Sequence, residues 1–345
     1  MAPLTVLSLN VKGLNSPHKR VKAFQTFATL KAGIVALQET HFSARTTPTF
    51  FSSRYPQVYT ASASTKHRGV LIALHHTLPF TVQSEIRDPE GRYIILVGLL
   101  QDVETTLVSY YAPNTNPNPF FSHLLQVLRS HCRGTLFLCG DSNSVLQPHI
   151  DKSPYAPDQY SPSLRFRKLL QQASLLDTWR ECNPTKKNFT FYSYPHKSFS
   201  RIDHIFISVA SSPTLLKSVI QPISWSDHCA VLTTVSSLIP LSTDRTWCIN
   251  EAHLSNQSYC FDIQIALADY LKHNAIPDIS PVLLWEAHKP VIRGKCISVS
   301  THLNRDKKIR LAELESDFHL CSLQFQSSPT EAHRIMMKNL RLNWI

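Results

Sequence analysis

Short apolar runs separated by polar turns make up most of the chain as far as about residue 237. Runs of this length that are rich in Val, Ile, Leu and aromatic residues predict β-strands. The predicted strands are residues 5–11, 33–39, 69–74, 93–100, 105–111, 135–141, 189–193, 201–207 and 229–235. Runs such as VLIAL and IILVGLL contain no polar alternation, which is typical of strands covered on both faces.

Helical spacing, with apolar residues every three or four positions, is found in this part of the chain at residues 18–32, 120–132 and 163–175. Many strands with few intervening helices favour sheets that pack on each other and carry helices outside. We therefore predict an α/β fold, a four-layer α/β sandwich in which two packed mixed sheets are flanked by helices.

The pattern changes at SLIPLST, residues 237–243. Beyond this segment the strand pattern ends, and helical spacing predicts helices at about residues 260–273 and 303–325. The sequence thus predicts a first domain at 1–237, followed by a helical C-terminal extension, a basic helical linker region, at 238–345.

Basic residues are concentrated at positions 293–310, which carry six Arg or Lys and one acid. An apolar seam with alternating three- and four-residue steps comes next. It is formed by Leu311, Leu314, Phe318, Cys321 and Phe325. Such a seam is typical either of a coiled coil or of a helix docked on its neighbour, and two heptads leave both alternatives open. The charge of the region makes RNA a candidate partner.

The whole chain has 35 Lys and Arg against 24 Asp and Glu, a formal charge of +11. This excess favours a polyanionic partner, and nucleic acid is the commonest one. The eight cysteines contain no CxxC pair, which argues against structural zinc and against a disulfide framework. The N-terminus lacks the features of a secretory signal, and no apolar run approaches bilayer length. We expect a protein of the nucleus or cytoplasm with no membrane partner.

Polar residues with catalytic potential recur at the ends of the predicted strands. They are Asn10, Glu39, Tyr111, Asn114, Asp141, Asn143, Asp203, Asp227 and His228. A scaffold gathers a site at one rim of its sheets in this way. Oxygen ligands with one imidazole suit a hard cation, Mg²⁺ with Mn²⁺ as an alternative, and not zinc. Together with the net charge, these residue types predict phosphoester cleavage in a nucleic acid.

Asp227 and His228 are neighbours in the motif WSDH. Adjacent side chains of an extended segment point to opposite faces, so Asp227 is a poor partner for His228. An acid carried by another strand, Asp203, is the better candidate to orient the imidazole. Asp227 is then free for a separate role.

Taken in order, these motifs resemble those of the endonuclease/exonuclease/phosphatase family across about residues 4–236. The motifs are SLNVKGLNS, VALQETH, SYYAPN, GDSN, FTFYS–SRIDHIF and WSDH. Within the family they look most like the apurinic-type endonuclease domain of vertebrate long interspersed (non-LTR) retrotransposons. The words TWCINEAHL and LLWEAHKPVIRGK resemble the region between the endonuclease and the reverse transcriptase of such elements. No FADD or YxDD motif precedes Ile345, so the reverse transcriptase is expected to be missing.

The resemblance implies a role for each matching position. Glu39 would hold the metal with Asn10 close by at the phosphate, and Asp227 would lie near the leaving 3′-oxygen as metal support or proton source. Asp141 would activate the attacking water, and Asn143 would help to place Asp141 or the phosphate.

The phosphate itself would be surrounded by Tyr111, Asn114 and His228, with Asp203 paired to His228. Thr190 matches a position that contacts DNA backbone. Lys12 stands where apurinic endonucleases carry an acid; it weakens any second metal position, and is predicted to contact a DNA phosphate.

The resulting hypothesis is a Mg²⁺-dependent phosphodiesterase that nicks double-stranded DNA to leave a 3′-hydroxyl, as for target-primed reverse transcription. Two alternatives stay open, an abasic-site endonuclease or exonuclease III-like repair enzyme, and a catalytically inert nucleic-acid-binding remnant of a retroelement. The segment YPHKSFSR, residues 194–201, is interpreted either as a loop that reaches a DNA groove or as a plain hairpin turn.

Overall fold

The computed structural model describes residues 3–43, 45, 48–154, 160–236, 249, 251–276, 279–328 and 330–342. The chain divides into two compact units, Met1–Thr243 and Asp244–Ile345. The predicted boundary between residues 237 and 238 falls within positions 237–248, which lie outside the described residues. The position of that boundary therefore stays a prediction.

The strands of the described residues all belong to the first unit. In chain order they are β1 Leu4–Asn10, β2 Ile34–Gln38, β3 Gln57–Ala61, β4 Val70–Leu74, β5 Phe80–Arg87, β6 Tyr93–Leu100, β7 Val103–Tyr111, β8 Thr135–Asp141, β9 Lys152–Ser153, β10 Leu175–Asp177, β11 Phe191–Ser193, β12 Ser198–Ser200, β13 Asp203–Ser208, β14 Leu215–Gln221 and β15 Ala230–Val235.

The α-helices are distributed over both units. They are α1 Pro17–Thr29, α2 Asn118–His131, α3 Pro148–Asp151, α4 Tyr160–Gln172, α5 Thr178–Cys182, α6 Gln257–Asn274, α7 Pro281–Ser327 and α8 Glu331–Leu342. None of these described helices carries an apolar stretch long enough to cross a bilayer.

The first unit contains two six-stranded sheets, in the orders β14-β15-β1-β2-β4-β3 and β10-β13-β8-β7-β6-β5, and a small sheet in the order β11-β12-β9. Each sheet contains one parallel pair, β1 with β2 and β7 with β8, and its other pairs are antiparallel. One core lies between the sheets, a second under α1, and a third under α2 and α4. The predicted four-layer α/β sandwich is confirmed.

The sequence of β1 shows why these strands are buried on both faces. Its side chains alternate between the two faces of the sheet. Leu4 and Val6 enter the core between the sheets, whereas Leu7 and Leu9 enter the core under α1. Because both faces are covered, these four positions are apolar, and Thr5 and Ser8 are the polar residues between them.

The strand directions bring the polar strand ends to one rim. The carboxyl ends of parallel neighbours meet at the same sheet edge, which places Asn10 beside Glu39 and Tyr111 beside Asp141. In the second sheet β13 runs antiparallel to β8, and its first residue, Asp203, pairs with Asp141. The segment before β15 reaches the same rim, because β15 is antiparallel to β1.

The second unit consists of helices in its described residues. Tyr259 on α6 is buried against Cys296 and Val299 on α7. The predicted helix at 303–325 is the end of a longer helix, α7, and α8 packs against this end through Cys321, whose Sγ lies 3.6 Å from the carbonyl oxygen of His333. Within the predicted apolar seam Phe318, Cys321 and Phe325 are buried, while the side chain of Leu311 lies outside the described ones.

Candidate active site

Asn10, the last residue of β1, connects the two sheets at the rim. Its side chain is 1% exposed. The amide Nδ2 donates to Glu39 Oε1 at 2.8 Å and to Asp141 Oδ2 at 2.9 Å, so one amide holds a carboxylate from each sheet. The Oδ1 atom accepts the backbone N–H of Lys12 at 3.0 Å, which fixes the turn that follows the strand.

Glu39 follows β2 with a left-handed backbone, φ +51°. Burial would raise the pKa of this carboxyl group, but hydrogen bonds from His41, Asn10 and Tyr111 outweigh burial and lower the pKa to about 2. His41 Nε2 lies 3.2 Å from Glu39 Oε2. Gly13 makes room for this histidine, because a Cβ at position 13 would lie 2.9 Å from His41 Nδ1. Glu39 is therefore an ionised carboxylate at neutral pH.

Asp141, Asp203 and His228 form a second group, which we call the buried cluster. One oxygen or nitrogen of each residue lies within 4.8 Å of the others. His228 Nδ1 is 2.8 Å from Asp203 Oδ2, so the structure brings these two predicted partners together. Burial by itself would lower the pKa of His228, but the charge and hydrogen bond of Asp203, with the charge of Asp141, raise it to about 9.

Asp141, the last residue of β8, is 1% exposed. Burial and the negative charge of Asp203 raise its pKa to about 7, against the opposing effect of His228. Its Oδ1 accepts the backbone N–H of Asn143 at 2.9 Å, and its Oδ2 accepts the Asn10 amide. The carboxyl group is thus held at a fixed place with a pKa suited to exchanging a proton near neutral pH.

Tyr111, Asn114 and Asn143 border Asp141 as a hydrogen-bonded chain. The Tyr111 hydroxyl donates to Asn114 Oδ1 at 3.2 Å, and Asn143 Nδ2 donates to the same oxygen at 3.1 Å. Burial, with the charges of Glu39 and Asp141, raises the pKa of Tyr111 well above its ordinary value. The phenol therefore stays protonated and can donate a hydrogen bond to an anion.

Lys12, Glu39 and Asp227 form the solvent-facing side of the site, which we call the open rim. Their side chains are 64%, 20% and 21% exposed. Lys12 Nζ lies 2.5 Å from Asp227 Oδ2. Asp227 Oδ1 accepts no hydrogen bond from any described residue. The metal and leaving-group roles of Asp227, and the phosphate contact of Lys12, stay predictions.

Thr190 lies beneath this site and is 1% exposed. Its hydroxyl oxygen accepts the backbone N–H groups of Ile202 and Asp203 at 3.1 and 3.2 Å. Thr190 thus supports the start of β13, and its contact with DNA stays a prediction. Residues 194–197 form the turn between β11 and β12, which is the hairpin alternative for this segment.

Three further residues hold the site together and were not singled out from the sequence. Ser226 Oγ donates to the Asn10 carbonyl at 2.7 Å and accepts the His228 N–H at 3.2 Å. Lys19 Nζ donates to the carbonyls of Val11 and Lys12 at 2.5 and 3.2 Å, and His41 supports Glu39. Ser226 and His41 lie one and two positions from a predicted residue, in WSDH and QETH, whereas Lys19 follows Lys12 by seven positions, in SPHKR.

A divalent ion fits the donor chemistry of the open rim. The ionised carboxylate of Glu39 and the Asn10 Oδ1 atom are hard oxygen donors, and Asp227 Oδ1 is one more oxygen without a partner among the described residues. The buried cluster also offers donors, since Asp203 Oδ1 has no partner among the described residues, but His228 Nδ1 is already bonded to Asp203 Oδ2. Hard oxygen donors of this type suit a divalent ion that polarises a phosphoryl oxygen.

The chain can now be compared with known proteins. The sequence pattern that defines the Endonuclease/Exonuclease/phosphatase family matches residues 7–228, more than half of the chain. The chain belongs to the endonuclease/exonuclease/phosphatase family. Membership confirms the predicted family and the predicted class of enzyme, a hydrolase of this type.

One curated relative comes from a mobile element. The "Transposon TX1 uncharacterized 149 kDa protein" of Xenopus laevis is 26% identical over 269 residues, which are 76% of this chain and 20% of the relative. The chain therefore spans about a fifth of the length of the curated relative it matches.

Solved structures of the endonuclease/exonuclease/phosphatase type share the fold. The catalytic domain of APE2 from Xenopus laevis is 20% identical with a TM-score of 0.55, over 70% of this chain and 96% of that chain. The AP endonuclease LMAP from Leishmania major is 17% identical with a TM-score of 0.58, over 68% of this chain and 88% of that chain. The 3′-5′ exonuclease NExo from Neisseria meningitidis is 20% identical with a TM-score of 0.52, over 68% of this chain and all of that chain.

Proposed function

We propose that the chain is a divalent-metal-dependent DNA endonuclease, with Mg²⁺ as the preferred ion and Mn²⁺ as a substitute. It nicks one strand of a duplex and leaves a 3′-hydroxyl. The observation that carries the proposal is the placement of His228, held by Asp203 at 2.8 Å, beside Asp141, which shares the Asn10 amide with the ionised Glu39.

In the proposed reaction each group of the buried cluster has one task. Asp141 accepts a proton from the attacking water, because its raised pKa makes it a base near neutral pH. The new bond joins the water oxygen to phosphorus, and the bond from phosphorus to O3′ breaks. O3′ leaves with the electron pair and takes up a proton from solvent water to become the hydroxyl.

The phosphate gains negative charge during this step and needs fixed donors around it. His228 is protonated at neutral pH and supplies a positively charged donor that Asp203 keeps oriented. Tyr111, which pairs with Asp141 across β7 and β8, and its hydrogen-bond partner Asn114 supply neutral donors. A divalent ion bound by Glu39 and Asn10 would polarise a phosphoryl oxygen.

Double-stranded DNA is the proposed substrate because the chain is strongly basic and the rim carries further cations. Arg92 donates from Nη1 to the Tyr111 carbonyl at 3.3 Å, which places a guanidinium beside the catalytic rim. Contacts between such cations and DNA phosphates would make binding steeply salt-dependent. The AP endonucleases among the solved structures with this fold are consistent with a DNA substrate.

The test is the conversion of supercoiled plasmid to open circles in Mg²⁺, with EDTA and His228→Ala as controls. We expect nicking by the wild-type chain alone, with ends that a DNA polymerase extends directly because they carry 3′-hydroxyls. Wild-type protein that binds the plasmid without nicking it in Mg²⁺ or Mn²⁺ would favour the inert nucleic-acid-binding alternative.

The abasic-site repair alternative can be distinguished from a retroelement nickase by comparing which duplex the protein cleaves. A duplex with one abasic site is compared with the same intact duplex. A retroelement nickase cleaves both, whereas an abasic-site endonuclease prefers the damaged duplex by orders of magnitude. The TX1 relative favours the retroelement reading, and with it target-primed reverse transcription as the use of the 3′-hydroxyl.

We also propose that the helical region beyond residue 237 is an accessory to nicking, with RNA as the candidate ligand of its basic segment 293–310. Residues 1–243 alone should then nick plasmid at about the full rate. Loss of nicking in this fragment, with its fold intact by circular dichroism, would make the second unit part of the enzyme.

A further inference from the structure

We propose that Lys12 is a built-in cation of the catalytic site, which takes the place of a second divalent ion and limits the enzyme to one metal per site. The proposal rests on the proposed function, since it names how the phosphate charge is neutralised there. Its geometric basis is the pairing of Lys12 with Asp227 on the open rim.

The backbone around Lys12 is fixed by several contacts. The residue has φ +45°, a left-handed conformation that costs a lysine free energy and is retained where the surroundings enforce it. Its N–H is held by Asn10 Oδ1, and its carbonyl oxygen accepts Lys19 Nζ at 3.2 Å. The turn therefore aims the side chain in a set direction.

Lys12 and Asp227 are also held together independently of their own contact. Ser226 Oγ donates to the Asn10 carbonyl at 2.7 Å, which links the turn that carries Lys12 to the segment that carries Asp227. The ammonium group lies 2.5 Å from Asp227 Oδ2. An exposed ion pair contributes little stability, so stability is a poor reason for this arrangement.

The charges of the site explain what the pair can do. Two-metal phosphodiesterases place a second cation a few ångströms from the first, next to the oxygen that leaves. Here Asp227 is the carboxylate that remains for such an ion once Glu39 and Asn10 hold the first. The Lys12 ammonium is bonded to one oxygen of Asp227. It supplies the positive charge that a second ion would bring, and its charge repels a second divalent ion.

The ammonium also faces solvent, because 64% of the Lys12 side chain is exposed. It can therefore reach an oxygen of a bound phosphodiester while Asp227 restrains it. A donor of this kind, directed at growing charge on phosphate, is worth about 100-fold or more in rate.

Mn²⁺ binding to the full chain without DNA tests the metal count, by calorimetry and by the paramagnetic resonance of free Mn²⁺. We expect one tight site in the wild-type protein and in Lys12→Arg, and an additional site in Lys12→Asp. The matched control is Lys31→Asp, because Lys31 is also an exposed lysine with a left-handed backbone, φ +52°, and lies before β2, away from the rim. Two tight sites in the wild-type protein, or no additional site in Lys12→Asp, would overturn the proposal.

Nicking assays at saturating Mg²⁺ test the charge itself. Lys12→Met should lose about 100-fold in nicking rate and Lys12→Arg much less, while Lys31→Met is unchanged. Wild-type rates in Lys12→Met would overturn the proposal. If the Mn²⁺ counts are as expected but no variant and no wild-type protein nicks any DNA, the cation assignment stands and the proposed function fails.

Discussion

We propose that the buried cluster and the open rim take different parts in one reaction, and the two differ in their contact with solvent. Asp141, Asp203 and His228 are 1%, 0% and 7% exposed. Burial helps to raise the pKa of Asp141, whereas the pKa of His228 is raised by Asp203 against the effect of burial. Glu39, Asp227 and Lys12 are in partial contact with solvent, and hydrogen bonds from His41, Asn10 and Tyr111 keep Glu39 ionised.

This difference indicates how each half responds to change. A substitution in the buried cluster alters which groups carry a proton, because charges there are poorly screened. A substitution in the open rim alters which cations are held, because solvent and ions reach it. Variants can therefore be assigned to one half by whether they move the pH dependence or the metal dependence of nicking.

The largest effect is expected from removing a group of the buried cluster. Asp141→Asn removes the base and should lower the nicking rate by about 10³-fold or more, with the fold and DNA affinity retained. A plasmid assay measures the rate, and Asp102→Asn is the control, since Asp102 is an exposed acid in the turn between β6 and β7. Retained nicking would remove Asp141 from the mechanism.

The next largest effect is expected on stability, from the buried Arg201, two residues before Asp203. Arg201 is fully buried, with its Nε 2.8 Å from Asp151 Oδ1 and its Nη1 2.7 Å from Asp177 Oδ2. Arg201→Met leaves these acids without their shared cation and should lower the free energy of unfolding by about 3–5 kcal/mol.

Urea unfolding measures this change against a matched control. Arg87 pairs with Glu85 at 2.6 Å on the surface, and Arg87→Met should cost less than about 1 kcal/mol. Equal losses in the two variants would show that burial does not distinguish these ion pairs.

Substitution of the proposed metal ligand Glu39 should raise the concentration of Mg²⁺ that nicking requires. Glu39→Gln keeps the shape of the side chain but removes its charge, and should raise the Mg²⁺ concentration for half-maximal nicking at least about 10-fold. His41→Gln, which only supports Glu39, should have a smaller effect. An unchanged Mg²⁺ requirement in Glu39→Gln would place the metal elsewhere.

The smallest effect is a displacement of the pH profile. Nicking should rise with pH as Asp141 ionises around pH 7 and fall as His228 loses its proton around pH 9. In Asp203→Asn the imidazole loses the partner that raises its pKa, so the alkaline limb should move to lower pH. Asp141 loses a like charge, so the acid limb should move the same way. A profile that falls in height without moving would deny Asp203 this electrostatic role.

Much of the fold could be predicted because the inner strands are buried on both faces and therefore consist largely of apolar residues. β1, β2, β4 and β15 of one sheet, and β6, β7, β8 and β13 of the other, are covered on both faces and were all predicted from their apolar runs. The edge strands β3, β5, β10 and β14 were not predicted. In β5, for example, most positions are exposed or half-buried, so its strand conformation depends on pairing with β6.

The same division holds for the site. Residue types at strand ends were enough to pick out the acids, amides, tyrosine and histidine that the structure brings together, and their catalytic roles stay predictions. Which groups touch was decided by the tertiary structure, as in the pair of Lys12 with Asp227, separated by 215 positions. The ionisation of Asp141 and His228 was decided there too, since desolvation and neighbouring charge exist only after the two sheets have packed together.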